Sequence, residues 1–166
     1  MHELMTRSTE YFSAWETGVS ISYRYRRGWA AKNDLPAQLA EKLTTDMRIG
    51  YTTVGPHRAE LHITTTEGGL AEKKISRGQQ KMLVFAMNTA MSDLIKARTG
   101  RAPILLVDDL GAELDRVNQE KILKELGNQG GQVFVASIAA EIAEFGLPDT
   151  IMFHVEHGSL REGVDQ

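Results

Sequence analysis

Cysteine is absent from all 166 residues, which removes disulfides and thiolate metal sites together. The five histidines, at 2, 57, 62, 154 and 157, lack the spacing of a zinc-binding set. No apolar run reaches the ~18 residues a membrane-spanning helix needs. The stretch Met1 to Arg7 has no apolar core of the kind a secretory signal carries. These absences make the cytoplasm the expected compartment, with no membrane partner. A basic excess is missing as well: Lys and Arg number 19 against 22 Asp and Glu, for a net charge of −3. That rules out a uniformly basic surface, although nucleic-acid binding requires only a local basic patch.

What remains is the composition of a globular chain, 42% hydrophobic and 25% charged. A chain this long buries roughly two-thirds of its unfolded surface, so a sizeable core is within reach. One segment departs from the average. Between Gly18 and Asn33 there is no acid, while Arg24, Arg26, Arg27 and Lys32 interleave with Tyr23, Tyr25 and Trp29. Such a mixture can stack bases and neutralise phosphates. The plainer reading, and the favoured one, is a half-buried strand whose Val19, Ile21, Tyr23 and Tyr25 alternate with polar neighbours.

Helical spacing is expected from His2 to Trp15, with Leu4, Tyr11, Phe12 and Trp15 on one face. A second helix opens at Asp34-Leu35-Pro36, where proline suits a first turn, and ends at Gly50. Leu61 to Thr66 reads as a strand, followed by a Gly68-Gly69 turn and a short second strand toward Ile75. From Ser76 onward strands and helices alternate. A long helix carries a stripe of Leu83, Met87, Ala90 or Met91, and Leu94. Ile104 to Val107 is a continuous apolar strand of the type buried on both faces. Then come a helix over Arg116 to Leu126, a strand over Gln132 to Ala136, a helix over Ala139 to Phe145, and a strand over Ile151 to Val155 turning at His157-Gly158. This alternation predicts an α/β fold with a parallel sheet and right-handed crossovers.

Three constellations carry chemistry. Ile104 to Val107 ends in Asp108-Asp109, which places two carboxylates at the carboxyl edge of a parallel sheet, where such folds bind ligands. One acid can hold Mg²⁺ while the other orients or deprotonates a water; a solvated strand end is the plain alternative. Asp115, in Ala112-Glu113-Leu114-Asp115, is placed to cap the helix that follows. In Ile75-Ser76-Arg77-Gly78-Gln79-Gln80-Lys81, Ser76 and Gln79 fit a capping box. The box does not explain Gly78, which costs about 1 kcal/mol relative to Ala inside a helix. A glycine there lets a phosphate approach the N-terminal amides, where the helix dipole favours an anion. His57 and Arg58, in the turn Gly55-Pro56-His57-Arg58, could face nucleotide or DNA, or simply brace the turn.

Taken in order, these stretches resemble a known family. Ile75 to Gln79 resembles the ABC-type signature loop, with Arg77 where transporters usually have Gly. Leu105 to Asp109 resembles Walker B, and Ala112 to Asp115 the D-loop. Tyr51 to Leu61, Gln132 to Ser137 and the end Met152 to Gly158 resemble the RecF family of ABC/SMC-like ATPases specifically, over about Val19 to Gly163. The resemblance implies part of an ABC/SMC-type ATPase head, a parallel-rich sheet with flanking helices, plus the remnant of a helical lobe. It sets the lobe and connecting strand at 1–50 and the C-terminal part of the ATPase domain at 51–166.

The resemblance also implies ATP and Mg²⁺ as cofactors. Asp108 and Asp109 would be catalytic, with Asp108 the Mg²⁺ ligand. Ser76, Arg77, Gly78, Gln79 and Asp115 would serve the ATP of a second chain, and Arg24, Arg26, Arg27 and Lys32 would touch DNA. Implied partners are gapped DNA, RecR, RecO and a second copy joined by ATP, in gap repair, fork recovery and the SOS response. Two features differ from the general ABC pattern and match RecF: Asp109 replaces the catalytic Glu, and no switch histidine follows the Gln132 to Ala136 strand. Both imply slow turnover. No Gly-x-x-x-x-Gly-Lys-Ser/Thr occurs, so the chain is expected to be part of a longer protein and not to hydrolyse ATP alone. The alternatives are a transporter nucleotide-binding domain, another SMC-like head, and a non-catalytic module that binds DNA or a partner.

Overall fold

A computed structural model describes residues 1–137 and 149–163. The helix expected over Ala139 to Phe145 lies outside the described residues. Helix α1 spans His2–Ala14 and buries Leu4, Ser8 and Phe12. Strand β1 (Ile21–Arg26) pairs antiparallel with β2 (Glu60–Thr65), in a register that sets Tyr23 opposite Ile63 and Arg26 opposite Glu60. Between them α2 (Leu35–Ile49) starts at Asp34, has proline in its first turn, and stops at Gly50, whose φ of 82° is the left-handed cap only glycine adopts cheaply. A 3₁₀ turn, Pro56–Arg58, precedes β2.

The short second strand expected after Gly68-Gly69 is instead a one-turn helix, α3 (Ala71–Lys74). Only Leu70 makes a bridge back, to Thr64. Ala71 and Ile75 are buried in the core, and the turn of helix between them closes with the Ile75 amide bonded to the Ala71 carbonyl at 2.9 Å. Helix α4 (Arg77–Thr99) is the backbone of the structure. Its Leu83, Ala90 and Leu94 are buried as the stripe predicts, while Met91 is exposed. Met82, Ala86 and Thr89 are buried too, because α4 is covered on more than one side. Phe12, Trp15 and Ile21 from the N-terminal region share one hydrophobic cluster with Met82, Leu83, Ala86, Leu110, Ile122 and Leu126.

Strands β3 (Leu105–Val107) and β4 (Val133–Val135) are parallel and hydrogen-bonded neighbours. Helix α5 (Arg116–Asn128) joins them, as in a βαβ crossover. The expectation that Ile104 to Val107 is buried on both faces is corrected: Val107 is 8% exposed, but Ile104 is 63% and Leu106 79% exposed. Among the described residues only one face of this pair is covered, and Phe134 is exposed alongside Leu106. The chain ends in an antiparallel hairpin, β5 (Phe153–Glu156) and β6 (Ser159–Glu162). Among the described residues no helix is long and apolar enough to cross a membrane.

A polar network ties α1 to α4. The Tyr11 hydroxyl donates to Asp93 Oδ2 at 2.6 Å, and burial, then this bond, push its pKa up to about 12. Arg7 approaches the same carboxylate at 3.6 Å.

Candidate functional site

The start of α4 is built as a capping box. Ser76 Oγ accepts from the Gln79 amide at 3.2 Å, and Gln79 Oε1 accepts from the Ser76 amide at 2.8 Å. Gln80 N–H bonds the Ser76 carbonyl. The N–H groups of Arg77 and Gly78 find no partner among the described residues. Ser76 Oγ accepts in the box and so keeps its proton for another acceptor. Three donors thus point out from the positive end of a 23-residue helix, the arrangement that suits an oxyanion. The remaining polar atom, Gln79 Nε2, donates to Thr17 O at 2.9 Å and fixes the loop before β1.

Gly78 has a second reason to be glycine. A Cβ built there would lie 2.7 Å from the Glu113 carbonyl oxygen, so the backbone of the loop before α5 packs directly on the signature-like loop. Glu113 itself takes φ 65°, a left-handed conformation unusual for its residue type. Its carboxylate meets Arg77 at 3.2 Å. Both groups are well solvated, so the pair orients Arg77 more than it stabilises the fold.

Asp108 and Asp109 sit exposed just after β3. Asp109 turns the chain with φ 47°, and its carbonyl accepts from Lys81 Nζ, which also donates to Ala112 O at 2.9 Å. Lys81 therefore clamps the two-acid turn to α4. Sequence reasoning missed it. The available signal was its position one turn after Arg77, on the same helix face. Asp115 caps α5: its Oδ1 accepts from the Asn118 amide at 2.8 Å and its Oδ2 from Asn118 Nδ2 at 3.2 Å.

A cavity of about 440 Å³ is lined by Thr17, Ser76, Gly78, Gln79, Glu113 and Asp115, among others. The structure thus joins the signature-like loop to the D-loop-like turn within one chain. Asp108 and Asp109 do not line this cavity; Lys81 bonds the carbonyls of Asp109 and of Ala112, the residue before Glu113. Among the described residues no cluster of three or more histidines or acids could hold a metal. Two carboxylates still fit Mg²⁺, which takes one or two of them and completes its shell with phosphate oxygens and water.

The basic segment divides. Arg24 and Arg26 are exposed on the outer face of β1, whereas Tyr23 turns inward, 2.6 Å from Ser8 Oγ, where burial raises its pKa. Arg27 braces its own loop, donating to Ala30 O at 2.8 Å and lying over the Trp29 ring. Lys32 is exposed in the turn before α2. His57 Nε2 lies 2.8 Å from the Thr52 carbonyl, so it donates there and braces the turn.

A parallel βαβ unit packed on a long helix, with the capped loop before that helix touching the turn before α5, has the fold of an ABC/SMC-type ATPase head. The structure superposes on an Smc head bound to the C-winged helix domain of ScpA with a TM-score of 0.60 at 15% identity, over 98% of this chain and 42% of that one. The likeness is greater to a recombination mediator protein RecF-ATP in the RecFOR pathway: TM-score 0.72 at 22% identity, over 98% of this chain and 44% of that one. In sequence, the DNA replication and repair protein RecF of Shewanella oneidensis is 40% identical over 145 residues, 86% of this chain and 40% of that protein. No family model matches the chain. Over the matched residues the chain is RecF-like in sequence and in fold, consistent with a C-terminal portion of such a protein. It spans about 40% of the length of the RecF relatives it matches.

Proposed function

We propose that this chain supplies the signature loop, Walker B acids and D-loop of a composite ATP site in a DNA-repair ATPase. The observation that carries the proposal is the start of α4. There Ser76 Oγ–H and the Arg77 and Gly78 amides stand unpaired at a helix N-terminus, beside a turn that Lys81 holds in register with Asp108 and Asp109. The first three would hold the terminal phosphate of an ATP whose other contacts come from a second copy. Asp115 and Glu113 would border that site, and Arg77 would add positive charge.

At the other site of the same dimer, Asp108 would hold Mg²⁺, which supplies charge neutralisation to the phosphates when bound. Asp109 would orient or deprotonate the attacking water. Its carboxylate is one methylene shorter than that of Glu, which suits slow turnover. In this reading ATP closes two copies on DNA at gaps and hydrolysis opens them, with RecR and RecO as partners. The chain fits a longer protein whose remaining segment brings a Walker A. In that longer protein Asp109→Asn should keep ATP-driven dimerisation, read by light scattering after size exclusion, and slow phosphate release at least tenfold. Unchanged release would reject the role of Asp109.

A further inference from the structure

We propose that the cavity between the end of β1 and the Pro56–Arg58 turn is a phosphodiester site for the backbone of DNA. It has a volume of about 510 Å³ and is lined by Arg26, Thr53, His57, Arg58, Ala59 and Glu60. The proposal rests on the DNA-binding part of the function proposed above and gives it a location outside the nucleotide site.

The first argument is rigidity. Gly28 has φ 93°, and a Cβ on it would fall 2.1 Å from the Gly55 carbonyl oxygen and 2.8 Å from the Ala59 nitrogen. Gly55 N–H in turn bonds Gly28 O at 3.1 Å. Two backbone segments therefore cross in direct contact, and only glycine fits the crossing. The His57 bond to Thr52 O and the Thr53 hydroxyl bond to Asp46 at 2.7 Å fix the same turn from its other side. A cradle held in this way is ready before a ligand arrives, which lowers the ordering cost of binding.

The second argument is charge that the fold holds only weakly. The Arg26 guanidinium makes no hydrogen bond among the described residues, and its ion pair with Glu60 is long, at 4.0 Å, between two well-exposed side chains. The same Glu60 Oε2 also lies 3.0 Å from His62 Nε2, without a hydrogen bond between them. The Arg58 guanidinium also makes no hydrogen bond among the described residues, and lies over the Tyr51 ring at 5.2 Å. Stacking fixes its plane and leaves its edge donors available. Two guanidinium forks on one concave wall match the bidentate geometry of a phosphate.

The third argument favours a polymer over a small anion. The cavity is an open wall, so no single ion is enclosed by it. The basic surface continues from Arg26 to Arg24 on the same exposed face of β1. Residues two apart on a strand are separated by about 6.7 Å, the axial rise of about two nucleotides in a DNA strand. Several modest phosphate contacts in a row then add up to useful affinity.

The test is fluorescence anisotropy of a labelled duplex oligonucleotide titrated with residues 1–166 across a salt series. The proteins compared are the wild type, Arg26→Gln/Arg58→Gln, and Lys124→Gln on α5 as a charge-removal control. Each neutralised phosphate contributes about 0.9 to the slope of log affinity against log salt, so the double variant, which loses one phosphate site, should lose about 0.9 of that slope and bind about tenfold or more weakly at low salt. Lys124→Gln should match the wild type, and thermal melts should show all three folded. Wild-type binding with an unchanged slope in the double variant overturns the site but not the DNA reading. An equal loss in Lys124→Gln also overturns the site, since any surface charge would then serve. No DNA binding by the wild type at low salt overturns both the site and DNA binding by this chain. Saturable binding of inorganic phosphate, lost in the double variant, without DNA binding would reassign the cavity to a small anion.

Discussion

Replacing Gly78 by alanine sets helix propensity against packing at the point where the two halves of the candidate site touch. Propensity alone favours the substitution by up to about 1 kcal/mol. Packing opposes it. The new Cβ would lie 2.7 Å from the Glu113 carbonyl oxygen, closer than a carbon and an oxygen tolerate without movement. The Glu113 backbone has little freedom to retreat, because it occupies a left-handed conformation and the neighbouring Ala112 carbonyl is held by Lys81. Overpacking of this kind costs about 1–3 kcal/mol, so the net expectation is a loss of about 1–2 kcal/mol.

Gly127 supplies the internal reference. It lies in α5, and a Cβ there meets nothing within 4 Å. Gly127→Ala should therefore stabilise by about 0.5–1 kcal/mol. The two variants should separate by roughly 2 kcal/mol, or about 4–8 °C in Tm for a chain of this size. Circular dichroism melts of the wild type and both variants decide the matter. If Gly78→Ala melts at or above the wild type while Gly127→Ala is stabilised, the contact with Glu113 is wrong.

Two further predictions follow from the same region and from α5. Lys81→Met keeps the apolar stem and removes both bonds to the Asp109 and Ala112 carbonyls; urea unfolding should show a loss of about 2 kcal/mol after discounting for solvent, and an unchanged midpoint would remove Lys81 as a clamp. Burial first, and then the nearby charge of Asp93, raise the pKa of Glu125. A raised folded-state value means that its favourable contribution is present below the unfolded pKa and lost as pH rises through the folded one. Glu125→Gln should accordingly raise Tm at neutral pH and give no gain at pH below the ordinary carboxylate range; equal melting at neutral pH contradicts this.

How much was legible in the sequence differs from residue to residue. The capping box of Ser76 and Gln79, the cap at Asp115 and the stop at Gly50 are local, and each needs only neighbours within one helical turn. The parallel pairing of β3 with β4 followed from strand-helix-strand alternation. The segment from Gly69 to Ile75 was misread as a strand because its few residues carry no clear period: Ala71 and Ile75, both buried, share a side in a helix and in a strand alike. Exposure of Ile104 and Leu106 was illegible for another reason. An apolar run states what a strand can bury, and the described residues cover only one of its faces. The contacts of Gly78 with Glu113 and of Lys81 with Asp109 join positions about thirty residues apart, and no spacing rule reaches that far.

The central claim is that Ser76 and Asp109 of one chain serve different ATP molecules. It is tested most directly by mixing two inactive variants of the longer, Walker A-bearing protein, Ser76→Arg and Asp109→Asn. In a two-fold dimer with sites shared between chains, each mixed pair contains one site with both wild-type contributions and one with neither. Phosphate release should then return on mixing, to about a quarter of the wild-type rate by random pairing. If the mixture stays as inactive as its components while mixed dimers form, the two residues act on the same ATP and the composite-site account is contradicted.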